Sequence, residues 1–185
     1  MRRQFIALGI AMLVLEGCGA PPYPPPVFAT PVNAPYTLAS GDRLRVIVFG
    51  QDSLSNTYDV DGSGDISMPL IGLVNAKGLT TDDLQHAIES KLRDGFLRDP
   101  QVSVEVQAFR PFFILGEVTT AGQYPYVSGM TVQTAVAIAG GFSPRAYRSG
   151  AQLTRVIRGV PVTATVPLSE RVRPGDTIKI SQRFF

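Results

Sequence analysis

The sequence predicts an α+β fold made of two small modules. Three observations carry this. Short runs alternate apolar and polar residues, as in Leu44, Val46 and Val48 or Val102, Val104 and Val106, which is strand spacing. Two stretches with helical spacing each follow a threonine, over residues 80–92 and 131–139. Glycine and proline punctuate the intervals between them. A chain of 185 residues suffices for one or two small domains, and 44% hydrophobic with 17% charged residues is the composition of a folded protein.

The first module is expected over residues 36–109. Ser40-Gly41-Asp42 reads as a turn, and the strand after it has Leu44, Val46 and Val48 on one face. Residues 59–65 read as a tight polar turn. Strand character resumes from Ile66 to Val74, with Pro69 implying an edge position or a bulge. Thr80 or Thr81 caps a helix whose apolar stripe is Leu84, Ala87, Ile88 and Leu92. Asp82 and Asp83 suit its positive end, and Asp94-Gly95 ends it. A strand through Val102, Val104 and Val106 completes the unit.

The second module is expected over residues 110–185. Phe112 to Val118 is a short buried strand, followed by a turn and a second strand around Gly122 and Pro125. Thr131 caps a helix with Val132, Ala135, Val136 and Ala139 on one face, and Gly140-Gly141 stops it. Residues 151–157 and 160–166 form a hairpin about Arg158-Gly159. Residues 174–180 give the last strand. Gly175-Asp176 repeats the turn-to-strand pattern of Gly41-Asp42.

The N-terminus reads as an address. Arg2-Arg3 precede an apolar run from Phe5 to Leu15, which is too short to span a bilayer core of roughly 20 residues and fits a signal peptide over residues 1–17. Leu15-Glu16-Gly17-Cys18 resembles the lipobox of bacterial lipoproteins, with Glu16 unusual in its place. The resemblance implies lipidation at Cys18, and Gly19 in place of aspartate implies an outer-membrane destination. Residues 18–35 carry seven prolines and read as an extended tether, either a plain linker or a docking strand. Without Arg2, Arg3 and Glu16, the 17 basic and 15 acidic residues become 15 against 14. Such a near-neutral chain has no electrostatic footprint for nucleic acid.

Reactive constellations are scarce. One cysteine cannot make an intramolecular disulfide, and one histidine cannot build a His-rich metal site. Asp59, Asp61 and Asp65 look like a calcium loop but lack its downstream glutamate, so an Asp-Gly turn is expected. His86 falls on the open face of its helix. No catalytic residue, cofactor or metal is expected. Arg145, Arg148, Arg155 and Arg158 form a basic group around one loop and hairpin, suited to an acidic polysaccharide, to carboxylates of another subunit, or to open surface alone. Tyr124 and Tyr126 share one face of their strand, where they would stack on sugars, pack, or meet another subunit.

Ordered motifs carry a wider resemblance. Residues 113–118 (Phe-Ile-Leu-Gly-Glu-Val), 121–125 (Ala-Gly-Gln-Tyr-Pro) and the run ending at Phe142 resemble the SLBB β-grasp module of bacterial polysaccharide export proteins, the Wza-like outer-membrane family. Ala121 stands where that family commonly has proline. Gly41-Asp42, Val60-Asp61, residues 69–72 (Pro-Leu-Ile-Gly), residues 78–80 (Gly-Leu-Thr) and residues 99–102 (Asp-Pro-Gln-Val) resemble its N-terminal polysaccharide-export domain. The resemblance implies a non-enzymatic, lipid-anchored protein of the outer membrane that faces the periplasm. It would export capsular or exopolysaccharide as a homo-oligomeric ring coupled to an inner-membrane polysaccharide co-polymerase. Larger relatives add a pore-lining C-terminal helix, and five residues after the last strand imply a separate outer-membrane β-barrel partner. Phe184-Phe185 reads as a frayed tail or a docking point. Tyr124, Tyr126, Arg145 and Arg148 are the candidate saccharide or subunit contacts. The alternative is a monomeric, lipid-anchored saccharide-binding module.

Overall fold

The computed structural model describes Phe28 and residues 35–183. The signal segment, Cys18 and Phe184-Phe185 lie outside the described residues. Among those described, no helix is long and apolar enough to cross a membrane.

The first core is built on a three-stranded antiparallel sheet. Strand β1 (Arg43–Val48) lies between β2 (Asn56–Asp59) and the later β5 (Val102–Ala108). A hairpin of β3 (Asp65–Met68) and β4 (Gly72–Asn75) and the helix α1 (Thr81–Arg93) complete it. Alternation puts Leu44, Val46 and Val48 inside, where Leu84, Ile88 and Leu92 of α1 meet them together with Ile66 and Val74. The start of α1 is fixed by a capping box: Thr80 accepts from the Asp83 amide, and the Asp83 side chain accepts from the Thr80 amide. The Thr80 contacts hold the Asp83 carboxyl below its ordinary range.

Residues 56–59 form a strand that the sequence did not suggest, since Asn56-Thr57-Tyr58-Asp59 has little apolar periodicity; pairing with β1 holds it. One expectation is corrected. Ile66 to Val74 is two strands and not one interrupted strand. Pro69, Leu70 and Ile71 turn the chain, Met68 faces Gly72, and Leu70 takes φ +71°.

The second core uses a five-stranded mixed sheet. Its strands are β6 (Phe112–Gly116), β7 (Gly122–Tyr124), β8 (Ala151–Ile157), β9 (Val160–Val166) and β10 (Thr177–Ile180), ordered β7-β6-β10-β8-β9. The central β6 and β10 are parallel, and the other pairs are antiparallel. Helix α2 (Val132–Ile138) covers one face, where Val132, Ala135 and Val136 meet Phe112, Ile114, Leu153, Ile178 and Ile180. Its Thr131 cap accepts from the Thr134 amide.

Phe28 departs from the plain-linker expectation. It is only 6% exposed, belongs to the second core, and lies under the Arg155 guanidinium at 4.8 Å.

The parallel pair depends on Gly116. This residue has φ +86°, and a Cβ there would overlap the carbonyl oxygen of Ile180, which also accepts from the Glu117 amide. Gly116→Ala therefore combines left-handed strain with overpacking against backbone. It is expected to destabilise the protein by about 3 kcal/mol, read as a lower urea midpoint.

Candidate functional site

The two Gly-Asp turns meet where the modules join. In each turn the aspartate amide donates to the carbonyl three residues back, from Asp42 to Ala39 and from Asp176 to Arg173, both at 3.1 Å. The aspartate side chain then accepts from that same residue's amide, at 2.9 Å for Ala39 and 2.7 Å for Arg173. Gly41 and Gly175 hold φ +92° and +83°, as the third residue of a type II turn requires. Both aspartates are buried, at 0% and 1% exposure. A buried carboxylate is costly unless charge and hydrogen bonds answer it.

Arg110 answers Asp42. Its amide donates to Oδ1 at 2.9 Å, and its Nη1 stands 3.4 Å from Oδ2. Tyr36 joins them, donating its hydroxyl to Asp42 Oδ2 at 2.6 Å and accepting from Arg110 Nη1 at 2.8 Å. Burial pushes the Tyr36 phenol well above its ordinary pKa, and the Asp42 hydrogen bond adds to this against the opposing Arg110 cation. Arg155 answers Asp176 with a two-pronged contact, Nε to Oδ1 at 3.0 Å and Nη2 to Oδ2 at 2.7 Å. Its Nη2 also donates to the Arg171 carbonyl at 2.9 Å.

Arg110 touches both turns. A Cβ on Gly175 would come within 2.8 Å of Arg110 Nε, and the Gly175 amide donates to the Pro111 carbonyl at 3.0 Å. An aromatic row crosses the same junction. Tyr36 meets Phe109 edge to face at 4.9 Å, and Phe109 meets Tyr126 at 5.4 Å. Beside this row opens a cleft of about 680 Å³, into which Arg171, Arg173 and Glu170 also face. Partial burial, and then the Arg155 cation, hold the Arg173 guanidinium below its ordinary pKa.

The predicted contact residues do not converge. Tyr126 lines the cleft. Tyr124 packs into the second core, stacked on Phe112 at 6.0 Å with its hydroxyl donated to the Thr120 carbonyl. Arg145 and Arg148 lie past the other end of β10, where the Tyr147 amide donates to the Ser181 carbonyl. Arg145 is 3.6 Å from Glu117, and Arg148 sits 6.0 Å from the Phe142 ring. The four-arginine group is a correction. Arg155 is only 6% exposed and paired, and Arg158 is at the far end of β8, roughly 23 Å along a strand from Ala151. Arg155 shares a strand face with Ala151 and Leu153, which is the signal that it points inward.

Other acids are occupied locally. Asp61 Oδ1 accepts from the amides of Ser63, Gly64 and Asp65 at 2.8, 2.9 and 3.0 Å, a polar turn of the expected kind. The Asp65 amide leads these contacts in holding the Asp61 carboxyl below its ordinary range. Asp59 pairs with Arg43, and Asp65 accepts from Asn75. His86 is exposed beside Glu89 at 3.3 Å. Among the described residues no group of three histidine, cysteine or acidic side chains could hold a metal ion.

The Asp42–Arg110 contact ties the first Gly-Asp turn to the start of the second module, and a polar-aromatic cleft opens beside it. Comparison with known proteins gives the family. Residues 30–107 match the family described as polysaccharide biosynthesis/export protein, and residues 111–166 match the SLBB domain. The exopolysaccharide production protein ExoF of Rhizobium meliloti (strain 1021) is 35% identical over 150 residues, covering 75% of this chain and 35% of its own. The EPS I polysaccharide export outer membrane protein EpsA of Ralstonia nicotianae is 27% identical over 183 residues, covering 80% of this chain and 48% of its own. The polysialic acid transport protein KpsD of Escherichia coli is 25% identical over 114 residues, 60% of this chain and 20% of its own. The chain belongs to the polysaccharide export protein family, which agrees with the expectation of a non-enzymatic protein. It spans less than half the length of these relatives.

Removing one partner of the Arg155–Asp176 pair leaves a buried charge uncompensated. Arg155→Met is expected to cost about 3–5 kcal/mol, measured by chemical denaturation. Arg145→Met breaks only an exposed contact and should cost less than about 1 kcal/mol.

Proposed function

We propose that this chain serves the export of capsular or exopolysaccharide at the outer membrane. The observation that carries the reading is that both family modules occur in order, on relatives named for polysaccharide export or production. Cys18 takes the lipid and holds the body on the periplasmic side of that membrane. Copies assemble head to tail into a ring, and the ring passes polymer delivered by an inner-membrane co-polymerase. No bond is made or broken. Tyr126 in the cleft offers a stacking surface, while Tyr124 mainly supports the core. Arg145 and Arg148, at the opposite end of β10, suit contact with a neighbouring copy.

A second reading is a monomeric, lipid-anchored saccharide-binding module. The cleft is the feature such a module would use, with Tyr126, Arg171 and Arg173 on its walls.

Polymer is measured on the surface, in the medium and in the periplasm of a strain lacking the protein. Export predicts loss of extracellular polymer, restoration by the wild-type chain, and weaker restoration by Cys18→Ala. Unchanged extracellular polymer would sink the export reading. Native mass measurement of the purified protein separates ring from monomer.

A further inference from the structure

We propose that the cleft between the modules is a binding site for an acidic saccharide, with Arg171 and Arg173 receiving its carboxylates and Tyr126 supporting a sugar ring. The inference deepens the export reading and rests on it for its biological role. The binding chemistry stands on the cleft itself.

Four arginines line the cleft, and two are already committed: Arg110 to Asp42 and Arg155 to Asp176. Neither the Arg171 nor the Arg173 guanidinium forms a salt bridge among the described residues. The remaining lining carboxylate is Glu170, whose charge acts on Arg173. Two uncommitted cations therefore face one acid. Burial first, and then the Arg155 cation, work against the Arg173 charge, while Asp176 and Glu170 act in its favour without forming a salt bridge to it. A ligand carboxylate entering here would supply the direct salt-bridge partner that both guanidiniums lack among the described residues, and guanidinium is suited to carboxylate by its planar fork of donors.

The remaining lining favours a sugar over a bare anion. Tyr126 and Phe109 meet edge to face, 5.4 Å between ring centroids, so each ring packs against the other beside the cleft. Half-buried tyrosine offers an apolar ring body with a polar tip. Ser128 and Ser169 add hydroxyls on the same walls. A volume of about 680 Å³ lies inside the roughly 300–1,000 Å³ typical of small-molecule sites. That is room for a short saccharide segment and more than a single ion needs.

The test is titration calorimetry of the purified full chain with three probes. Tetragalacturonate carries both sugar rings and carboxylates, maltotetraose has rings without charge, and tetraglutamate has charge without rings. Tetragalacturonate is expected to bind at least tenfold tighter than either of the others. The Arg171→Gln/Arg173→Gln double variant is expected to lose at least tenfold of that affinity with an unchanged melting temperature. Amide resonances of Gly129 and Arg173 should shift on titration, and that of Arg148 should not. Equal binding of tetraglutamate would reduce the effect to simple ion exchange and overturn the proposal. So would absence of tetragalacturonate binding, or full affinity in the double variant. The two readings fail separately. If extracellular polymer persists without the protein while tetragalacturonate still binds through the two arginines, export fails and the cleft stands. If polymer is lost without the protein but tetragalacturonate does not bind, the cleft proposal fails alone.

Discussion

The structure depends on how two buried carboxylates are held. Asp42 accepts four hydrogen bonds, from Tyr36, the Ala39 amide, and the amide and guanidinium of Arg110. Asp176 accepts three, two from Arg155 and one from the Arg173 amide. An ionised carboxylate out of water is tolerated only with such saturation. Each aspartate thereby fixes the turn before a strand, and the strand in turn positions a core. Asp42 does more, because its partner Arg110 is 68 residues away, between the stretches that match the two family domains. The same contact that satisfies a charge also fastens one module to the next.

The repeated turn is a solution to a local problem. A strand entering a sheet needs a defined starting point, or its alternation can slip by one residue and turn its apolar face outward. Asp42 precedes β1, and Asp176 precedes β10. In both, the carboxylate ties down the amide three residues earlier, so the chain enters the strand at a set register. Leu44 and Ile178 then fall inside, each at 0% exposure. Identical chemistry at two unrelated sheets needs no common origin.

Much of this was legible in the sequence, and the limits are physical. Alternation revealed β1 and β5, and the Arg158-Gly159 turn revealed the β8–β9 hairpin. Threonine caps and terminal glycines bounded both helices. The echo of Gly41-Asp42 in Gly175-Asp176 was visible, but the burial of its aspartates was not, since their partners come from distant segments. β2 escaped notice because backbone pairing, rather than apolar content, holds it. Arg155 was misplaced because a charged side chain outweighed its phase with Ala151 and Leu153. Phe28, an aromatic in a proline-rich run, gave no local sign that it joins the second core. The cleft needed both modules in place, and residues 36, 109, 126 and 171–173 are adjacent only in space.

The hydrogen-bonded junction bears on the ring assembly proposed above. Identical copies joined head to tail form a ring only when the rotation at each interface closes. If one side of that interface lies on the first module and the other on the second, the angle between modules enters the rotation once per copy. Any error then accumulates around the ring. Apolar contacts alone would permit sliding, because they are not directional. The junction instead uses hydrogen bonds to Asp42 from both the backbone and the side chain of Arg110, with Gly175 allowing close approach. The Arg110–Asp42 ion pair itself is 3.4 Å long with a partly exposed guanidinium, so its directionality matters here more than its net stability. On this reading, the module angle is the property the junction protects, and loosening Arg110 would disturb ring closure before it disturbed either core.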